Sequence, residues 1–322
     1  MKRTVGLACV ILSGALSLSR GAMAAAEEPA AIQPASFQAV TAELTVVNAA
    51  IKGAGAQWVA GDNPMMRLSP AQKRRRLGLN KPPASSASGA AALKMEAASY
   101  QSATPLPASL DWRNQNGKNY LTPVKDQGDC GSCWAFATTA ELESYIMRTQ
   151  NRSVDLSEQI VLSCSHAGNC ETGGSQNLAA HFMKTTGVGL ESTYRYTAKD
   201  GSCSKAASGW KKNAYKTKGW STVNILPNAT AIKKALVAHG PVATSMLVYD
   251  DLYSYIGGVY SHVRGQLIGA HVVLIVGYDD ARQCFIVKNS WGTGWGEKGY
   301  FRIAYSQTRS IVLFGADTVA FI

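Results

Sequence analysis

Ten residues, Gln127-Gly-Asp-Cys-Gly-Ser-Cys133-Trp-Ala-Phe136, carry the most information about the fold of this chain. They open with turn-forming residues and continue into an apolar pattern with helical spacing. That pattern consists of Trp134, Ala137, Leu142, Tyr145 and Ile146. It predicts a helix with Cys133 in its first turn, where unpaired backbone N–H groups and the helix dipole stabilise an anion. A thiol placed there is expected to ionise readily, and the thiolate is the nucleophilic form of cysteine.

Two residues far downstream can supply what a thiolate nucleophile needs, namely a base and a group that orients it. His271 begins the apolar run His271-Val-Val-Leu-Ile-Val-Gly-Tyr278, which predicts a buried strand. Asn289 lies in the glycine- and tryptophan-rich stretch Lys288-Asn-Ser-Trp-Gly-Thr-Gly-Trp-Gly296. Further short β-type runs lie after residue 216, whereas the signals before it are mostly helical.

Seven separate blocks stand out between residues 106 and 322. They are Leu110-Asp-Trp112, Thr122-Pro-Val-Lys-Asp-Gln-Gly128, Cys130-Gly-Ser-Cys-Trp-Ala-Phe136, Leu156-Ser-Glu-Gln159, Gly173-Gly174, Ala270-His271 and Lys288-Asn-Ser-Trp-Gly-Thr-Gly-Trp-Gly296. In sequence and in order, these blocks resemble the papain family of cysteine proteases. The resemblance implies an α+β fold with two lobes and a cleft between them. A helical lobe with a central helix would span about 106–215, and a lobe resembling an antiparallel β-barrel about 216–322.

The resemblance also implies a catalytic role for individual residues. Cys133 would be the nucleophile and His271 its paired base, resting as thiolate and imidazolium. Asn289 would orient the imidazole, and Trp291 would shield that contact from water. The side chain of Gln127 and the backbone N–H of Cys133 would form the oxyanion hole, which stabilises the negative charge of the tetrahedral intermediate.

Substrate-binding residues are implied by the same resemblance. Gly173 and Gly174 match the segment whose backbone pairs with an extended substrate. Val319 would form the floor of the main specificity pocket, with Ser245 and Val272 as its walls. An apolar floor predicts a preference for apolar side chains two residues before the cut.

The cysteine content fits an exported protein that carries disulfides. Of seven cysteines, Cys9 lies in the predicted signal segment, and Cys284 lies in an apolar run and is expected to be an inert buried thiol. If Cys133 is the nucleophile, an even set of four remains, consisting of Cys130, Cys164, Cys170 and Cys203.

Other interpretations of these cysteines exist. Cys130 and Cys133 form a C-x-x-C, which by itself could be a redox pair or half of a zinc site. Cys164, His166 and Cys170 could suggest a metal cluster. The family resemblance instead implies no metal and no cofactor, and two bridges that join Cys130 to Cys170 and Cys164 to Cys203.

The N-terminal residues 1–24 have the features of a secretory signal. A basic start is succeeded by an apolar run from Val5 to Leu18 and by Ala22-Met-Ala24, the small-residue spacing of a cleavage site. The run is shorter than the roughly 20 residues that span a bilayer. We therefore expect export, either secreted or periplasmic, or to a lysosome-like compartment in a eukaryotic host, with no membrane anchor after cleavage.

Residues 25–105 differ in composition from residues 106–322. Ser69 and Pro70 are typical of a helix start, and Gly78 of its end. The basic run Lys73–Arg76 predicts a solvated helix face, with a processing or polyanion-binding site as the alternative. The low-complexity stretch 80–92 predicts a flexible tether.

The same region resembles the short propeptide of cathepsin B. We expect it to lie over the cleft as an inhibitor and to be cut off between about Leu93 and Leu106. The segment between Gly174 and Cys203 lacks the histidine-paired insertion that blocks the cleft of cathepsin B. The resemblance rests on Val47-Asn-Ala-Ala-Ile51, Trp58-Val-Ala-Gly-Asp-Asn63 and Arg76-Leu-Gly78.

The formal net charge of +11 is spread along the chain, whereas a nucleic-acid-binding protein concentrates it on one element. We therefore expect no nucleic-acid partner. The sequence predicts a monomeric, exported cysteine endopeptidase, made as an inactive zymogen, that acts on proteins or peptides and binds its own propeptide. The alternatives are a non-catalytic peptide-binding relative and an acyltransferase on the same fold.

Overall fold

The computed structural model describes residues 36–78 and 105–322 of the chain. The predicted signal segment 1–24 and the predicted tether 80–92 lie outside the described residues, as does most of the predicted cleavage region. Within the described part of the chain, no helix combines the length and apolar character that a membrane span requires.

The α-helices of the described residues are α1 (Phe37–Ala54), α2 (Pro70–Arg75), α3 (Cys133–Gln150), α4 (Glu158–Cys164), α5 (Gln176–Thr185) and α6 (Ala229–His239). All but α3 begin at a serine or asparagine whose side-chain oxygen accepts a hydrogen bond from the first turn, as N-cap preferences predict. In α3, the N-cap residue Ser132 makes no such hydrogen bond. The first-turn N–H groups of α3 are therefore left for other acceptors.

The strands are β1 (Trp58–Ala60), β2 (Ser109–Asp111), β3 (Gly168–Asn169), β4 (Gly173–Gly174), β5 (Trp220–Asn224), β6 (Val242–Tyr249), β7 (Tyr255–Tyr260), β8 (Leu267–Asp279), β9 (Cys284–Lys288), β10 (Tyr300–Ala304) and β11 (Ala316–Phe321). The main sheet has the order β1-β7-β10-β9-β8-β6-β11-β5, with β2 paired to β8. Its pairs are antiparallel except β7 with β10. The short strands β3 and β4 pair separately.

The elements separate into a helical half and a β half, which confirms the predicted α+β class. One helix of the β half, α6, was not predicted. It packs against β5, β6 and β8 and buries Ile232, Ala235 and Leu236, which share one face of a helix.

Helix α3 lies where the two halves meet. It packs against α4 and α5 on one side and against β6 and β8 on the other. The apolar cluster around Trp134 on α3 includes Val272 of β8 and Val319 of β11. The first turn of α3 is therefore held from both halves of the fold.

The described N-terminal residues pack onto the β half. Strand β1 extends the main sheet at β7, with Trp58 opposite Gly258, and the Trp58 indole N–H donates to Ser261 O at 2.9 Å. The amide of buried Asn63 donates to Tyr253 O, also at 2.9 Å. This segment therefore shares backbone and side-chain hydrogen bonds with the rest of the protein.

The structure changes one expectation about the end of α2. Ser69 caps this helix as predicted and forms a reciprocal capping box with Gln72. The helix ends at Arg75, however, so the prediction that Gly78 ends it is wrong. Gly78 lies beyond the helix, where a contact with the cleft fixes its position.

The prediction that Lys73–Arg76 forms a solvated helix face is wrong for Lys73 and Arg76, whereas Arg74 is exposed and the side chain of Arg75 is 41% exposed. The Lys73 ammonium lies 5.2 Å from the centre of the Tyr253 ring, and Arg76 Nη1 lies 2.8 Å from Asp126 Oδ1. These long-range partners hold the two side chains against the protein.

Two disulfide bonds lie within the helical half, with S–S distances of 2.01 and 2.11 Å. Cys133 and Cys284 are free and buried, and burial raises the pKa of the Cys284 thiol to about 11. The bonded pairs are those implied by the family resemblance, Cys130 with Cys170 and Cys164 with Cys203.

Candidate active site

Cys133 is the first residue of α3, and its side chain is fully buried. Its Sγ accepts a hydrogen bond from the backbone N–H of Val272 at 3.2 Å. Val272 directly succeeds His271 on β8. The strand therefore brings the predicted base to the predicted nucleophile across the boundary between the two halves.

The imidazole of His271 contacts the side chain of Asn289, the residue that the family resemblance implies would orient it. Its Nε2 lies 2.8 Å from Asn289 Oδ1. Its Nδ1 is buried and has no hydrogen-bond partner among the described residues. Nδ1 is therefore the ring nitrogen that Asn289 leaves unoccupied.

Aromatic rings enclose this histidine–asparagine pair. The ring of Trp291 stacks on His271 with centroids 4.9 Å apart, and Tyr253 stacks on Trp291 at 5.1 Å. Trp295 meets Trp291 edge-on at 4.9 Å. These rings keep water away from the His271–Asn289 hydrogen bond, which strengthens it.

Gln127, the predicted oxyanion donor, is fully buried and fixed at both ends of its amide. Its Nε2 donates to Cys130 O at 2.8 Å, and its Oε1 accepts from Ser290 Oγ at 2.6 Å. The second Nε2 hydrogen remains for a ligand. Ser290 was missed in the sequence, although its position next to Asn289 could have suggested it.

Tyr196 is a second residue that sequence reasoning missed. Its hydroxyl donates to Gln127 O at 2.7 Å and lies 2.7 Å from Ser132 Oγ. The ring packs edge-on against Phe136 with centroids 4.7 Å apart. The Tyr196 hydroxyl therefore contacts both the loop of Gln127 and Ser132, the residue that precedes Cys133. No sequence pattern around Tyr196 indicates these contacts.

The predicted glycine pair forms β4 beside the site. A Cβ on Gly174 would lie 2.5 Å from the Trp134 ring, so a larger residue does not fit. The Gly174 N–H donates to Gly78 O at 2.9 Å. A peptide group of the N-terminal segment thus occupies the place predicted for the substrate backbone.

Gly78 also covers the predicted nucleophile. A Cβ on Gly78 would overlap Cys133 Sγ and would lie 2.7 Å from Gly131 O. Glycine is therefore required where this segment crosses the thiol. The preceding residue, Leu77, is buried with 5% exposure.

Burial changes the expected ionisation of the pair. It raises the pKa of the Cys133 thiol to about 12, although the backbone N–H groups of Val272 and Gly78 act in the opposite direction, and it lowers the pKa of His271 to about 4. The covered site therefore favours a neutral thiol and a neutral imidazole, in contrast to the predicted thiolate and imidazolium. Desolvation of both charges is the cause.

The residues predicted for the specificity pocket lie together near Cys133. Val272 and Val319 are buried in the same apolar cluster as Cys133. Ser245 Oγ accepts a hydrogen bond from Gln176 Nε2 at 2.8 Å. Gln176 therefore adds a polar group to this region that the sequence did not predict.

Comparison with known proteins agrees with this geometry. Residues 106–314 match the family described as papain family cysteine protease. The chain is 38% identical over 204 residues to "Cathepsin L-like proteinase" of Fasciola hepatica, which covers 62% of this chain and 60% of that protein. It is 36% identical over 211 residues to "Cathepsin B-like CP3" of Giardia intestinalis, and this match covers 63% of this chain and 70% of that protein.

A solved structure extends the likeness to the N-terminal segment. The digestive procathepsin L 3 of Tenebrio molitor larval midgut has a TM-score of 0.70 and 28% identity, covering 88% of this chain and 89% of that chain. Fold and site together define a two-lobed α+β protein with a cysteine at the start of its central helix. The chain belongs to the papain family of cysteine proteases. It spans about 60% of the length of the Fasciola relative.

Proposed function

We propose that this chain is the zymogen of an exported cysteine endopeptidase that hydrolyses peptide bonds in proteins or peptides. The observation that carries the proposal is the convergence of four side chains from separate parts of the sequence. Cys133 starts an uncapped helix, His271 is carried to it by β8, Asn289 orients the imidazole, and Gln127 is fixed next to them.

In the proposed reaction, the thiolate of Cys133 attacks the carbonyl carbon of the scissile peptide bond. The Gln127 amide and the backbone N–H of Cys133 donate to the oxyanion. The imidazolium of His271 then gives its proton to the leaving amine as the C–N bond breaks. Water hydrolyses the resulting thioester, releases the acid and restores the enzyme.

The described part of residues 25–105 would act as the inhibitory propeptide. Gly78 offers no side chain and takes the hydrogen bond of Gly174 N–H. When this segment leaves, water can reach the pair, and the start of α3 then favours the thiolate. Cleavage between about Leu93 and Leu106 would release it.

The proposed enzyme has an open cleft with an apolar specificity pocket. Residues 175–202 are described throughout and contain one histidine, His181, rather than a pair. Val319 and Val272 supply apolar surface near the nucleophile. We therefore expect the enzyme to cut inside peptide chains, with an apolar side chain two residues before the cut, and not to remove C-terminal dipeptides.

A thiol-directed epoxide tests the nucleophile. We expect one label on Cys133 in the converted enzyme, loss of peptide hydrolysis with labelling, and slow labelling of the intact precursor because its thiol is buried and neutral. Mass spectrometry of the labelled protein, with hydrolysis of a fluorogenic peptide, measures both effects. In Cys133→Ala the label should disappear, whereas Cys284→Ala, which removes the other free thiol, should retain it.

Three outcomes of this experiment contradict the proposal. Labelling without any peptide hydrolysis in the converted enzyme would favour a non-catalytic relative. Maximal hydrolysis by the uncleaved precursor would exclude an inhibitory propeptide. When an amine is added to the same hydrolysis assay, transfer of the acyl group to the amine in preference to water would favour the acyltransferase.

Replacement of Tyr196 by phenylalanine tests the support of the oxyanion hole. One neutral hydrogen bond contributes about 0.5–1.5 kcal/mol, so we expect kcat to fall about threefold to tenfold with little change in KM. Steady-state kinetics of converted Tyr196→Phe measures this. Tyr194→Phe is the matched control, since the Tyr194 hydroxyl binds Ser202 O instead. An equal loss in both variants would contradict a positioning role.

A further inference from the structure

A segment of the proposed propeptide, residues 76–78, runs through the cleft on both sides of the predicted nucleophile. On one side, Gly78 O accepts a hydrogen bond from Gly174 N–H at 2.9 Å. On the other side, Arg76 O accepts one from the indole N–H of Trp291 at 3.3 Å. We assign the acyl part of the substrate to the side of Gly174, whose backbone is proposed to pair with an extended substrate, so Arg76 marks the side of the leaving group.

Two carboxylates bind the basic side chains at this place. Arg76 Nη1 lies 2.8 Å from Asp126 Oδ1, and Arg76 Nε lies 3.3 Å from Asp129 Oδ1. Arg75 Nη2 lies 3.4 Å from Asp129 Oδ2. The side chain of Arg76 is only 14% exposed, so the guanidinium is seated in the cleft and not free in solvent.

The carboxylates belong to the frame of the candidate active site. Asp126 and Asp129 stand on either side of Gln127 in the chain. The backbone of Asp126 forms a β-bridge with Trp291, and its Oδ1 accepts a hydrogen bond from Gly128 N–H at 2.9 Å. A charge at this position is therefore held at a fixed distance from the reacting bond.

Among residues 36–78 and 105–322, every ion-pair partner of Asp126 and Asp129 is an arginine of the proposed propeptide. Removal of that segment leaves both carboxylates at the rim of the cleft without these counter-charges. We propose that Asp126 and Asp129 form an acidic subsite for a basic side chain in one of the two substrate residues immediately after the scissile bond. This inference rests on the proposed function and narrows its substrates to peptides with arginine or lysine on the leaving-group side.

The test uses mature enzyme obtained by conversion of the full precursor. Fluorogenic peptides share one uncharged sequence before the bond and carry arginine, lysine, glutamine or glutamate at either of two positions after it. Two partly exposed charge pairs give a modest gain, so we expect kcat/KM to be about tenfold higher for arginine than for glutamine at low salt. Glutamate should be the poorest substrate, and added salt should narrow the differences.

Variants identify the residues responsible. The ratio of kcat/KM for arginine over glutamine should fall to about one in the double variant Asp126→Asn, Asp129→Asn. Asp279→Asn is the matched control, because it also removes a carboxylate that pairs with an arginine, Arg282, at 3.6 Å. The control should keep the preference of the wild type.

The outcomes separate the two proposals. Equal rates for arginine and glutamine in the wild type, or a preference that survives in the double variant, would overturn the acidic subsite and leave the proposed peptidase standing. If no peptide of the series is cleaved, including those with uncharged residues after the bond, both proposals fail.

Discussion

Gly78→Val is expected to expose the nucleophile of the uncleaved precursor. A Cβ at Gly78 would overlap Cys133 Sγ and would lie 2.7 Å from Gly131 O, and backbone atoms cannot move aside as a flexible side chain can. Overpacking of this kind costs about 1–3 kcal/mol, which corresponds to about a 5- to 150-fold shift toward the open cleft. The rate at which an epoxide labels Cys133 in the intact precursor measures this shift.

The same chain offers a matched control for this variant. Gly53 lies in α1 of the same N-terminal segment, and a Cβ there meets nothing within 4 Å. In Gly53→Val, Cys133 of the intact precursor should therefore be labelled at the same rate as in the wild type. Equal labelling of wild type and Gly78→Val, with unchanged thermal stability, would show that the Gly78 contact does not close the site.

The ionisation of Cys133 and His271 could not be predicted from the local sequence alone. The position of Cys133 at a helix start predicted a stabilised thiolate, and α3 does begin there without a side-chain cap. The structure adds a peptide segment from a distant part of the sequence that removes water from the thiol. Burial of the thiol outweighs the backbone N–H groups that favour the thiolate, including those of Val272 and Gly78, and raises the pKa of Cys133 to about 12.

The structure confirms the helix and the strands that were predicted from contiguous stretches of sequence. The apolar run after His271 forms β8, and the run after Cys284 forms β9. A run with helical spacing was enough to predict α3, because its buried face recurs within the run itself. Helix α6 was missed because the β-type runs around it dominate the composition of that region.

Long-range polar contacts could not be predicted in the same way. Gly78 had the local signature of a helix end, yet its small size is needed against Cys133. The partners of Arg75 and Arg76 lie about 50 residues away, at Asp126 and Asp129. No periodic pattern links such residues, since the fold alone brings them together.

Buried charges form a further network that the blocks did not indicate. Lys125 Nζ lies 2.9 Å from Glu158 Oε1 and 3.8 Å from Glu143 Oε1, and both carboxylates are almost completely buried. Glu143 also accepts a hydrogen bond from Thr122 Oγ1, and the ammonium of Lys288 donates to Thr122 O at 2.8 Å. The network connects α3 and α4 with β9.

Lys125→Met should therefore destabilise the protein strongly. Removing one partner of a buried pair leaves an uncompensated charge and typically costs about 3–5 kcal/mol. Lys233→Met is the matched control, because Lys233 pairs with the partly exposed Asp280 and should lose about 1 kcal/mol or less. Thermal unfolding of the two variants beside the wild type measures the difference.

The pH dependence of this loss distinguishes charge from packing. Burial already raises the pKa of Glu158 to about 8 in the folded protein, well above its usual value near 4.3. At a pH below the pKa of Glu158 in the unfolded protein, the carboxyl is protonated in both the folded and the unfolded state. The stability that this group contributes is then lost as pH rises through its pKa in the folded protein. Without Lys125 the pKa of Glu158 rises further, so the variant should lose additional stability relative to the wild type only above about pH 8, where the carboxyl ionises in the wild type and stays protonated in the variant. A loss that is the same at pH 7 and at pH 9 would mean that the lysine acts through its methylene packing alone.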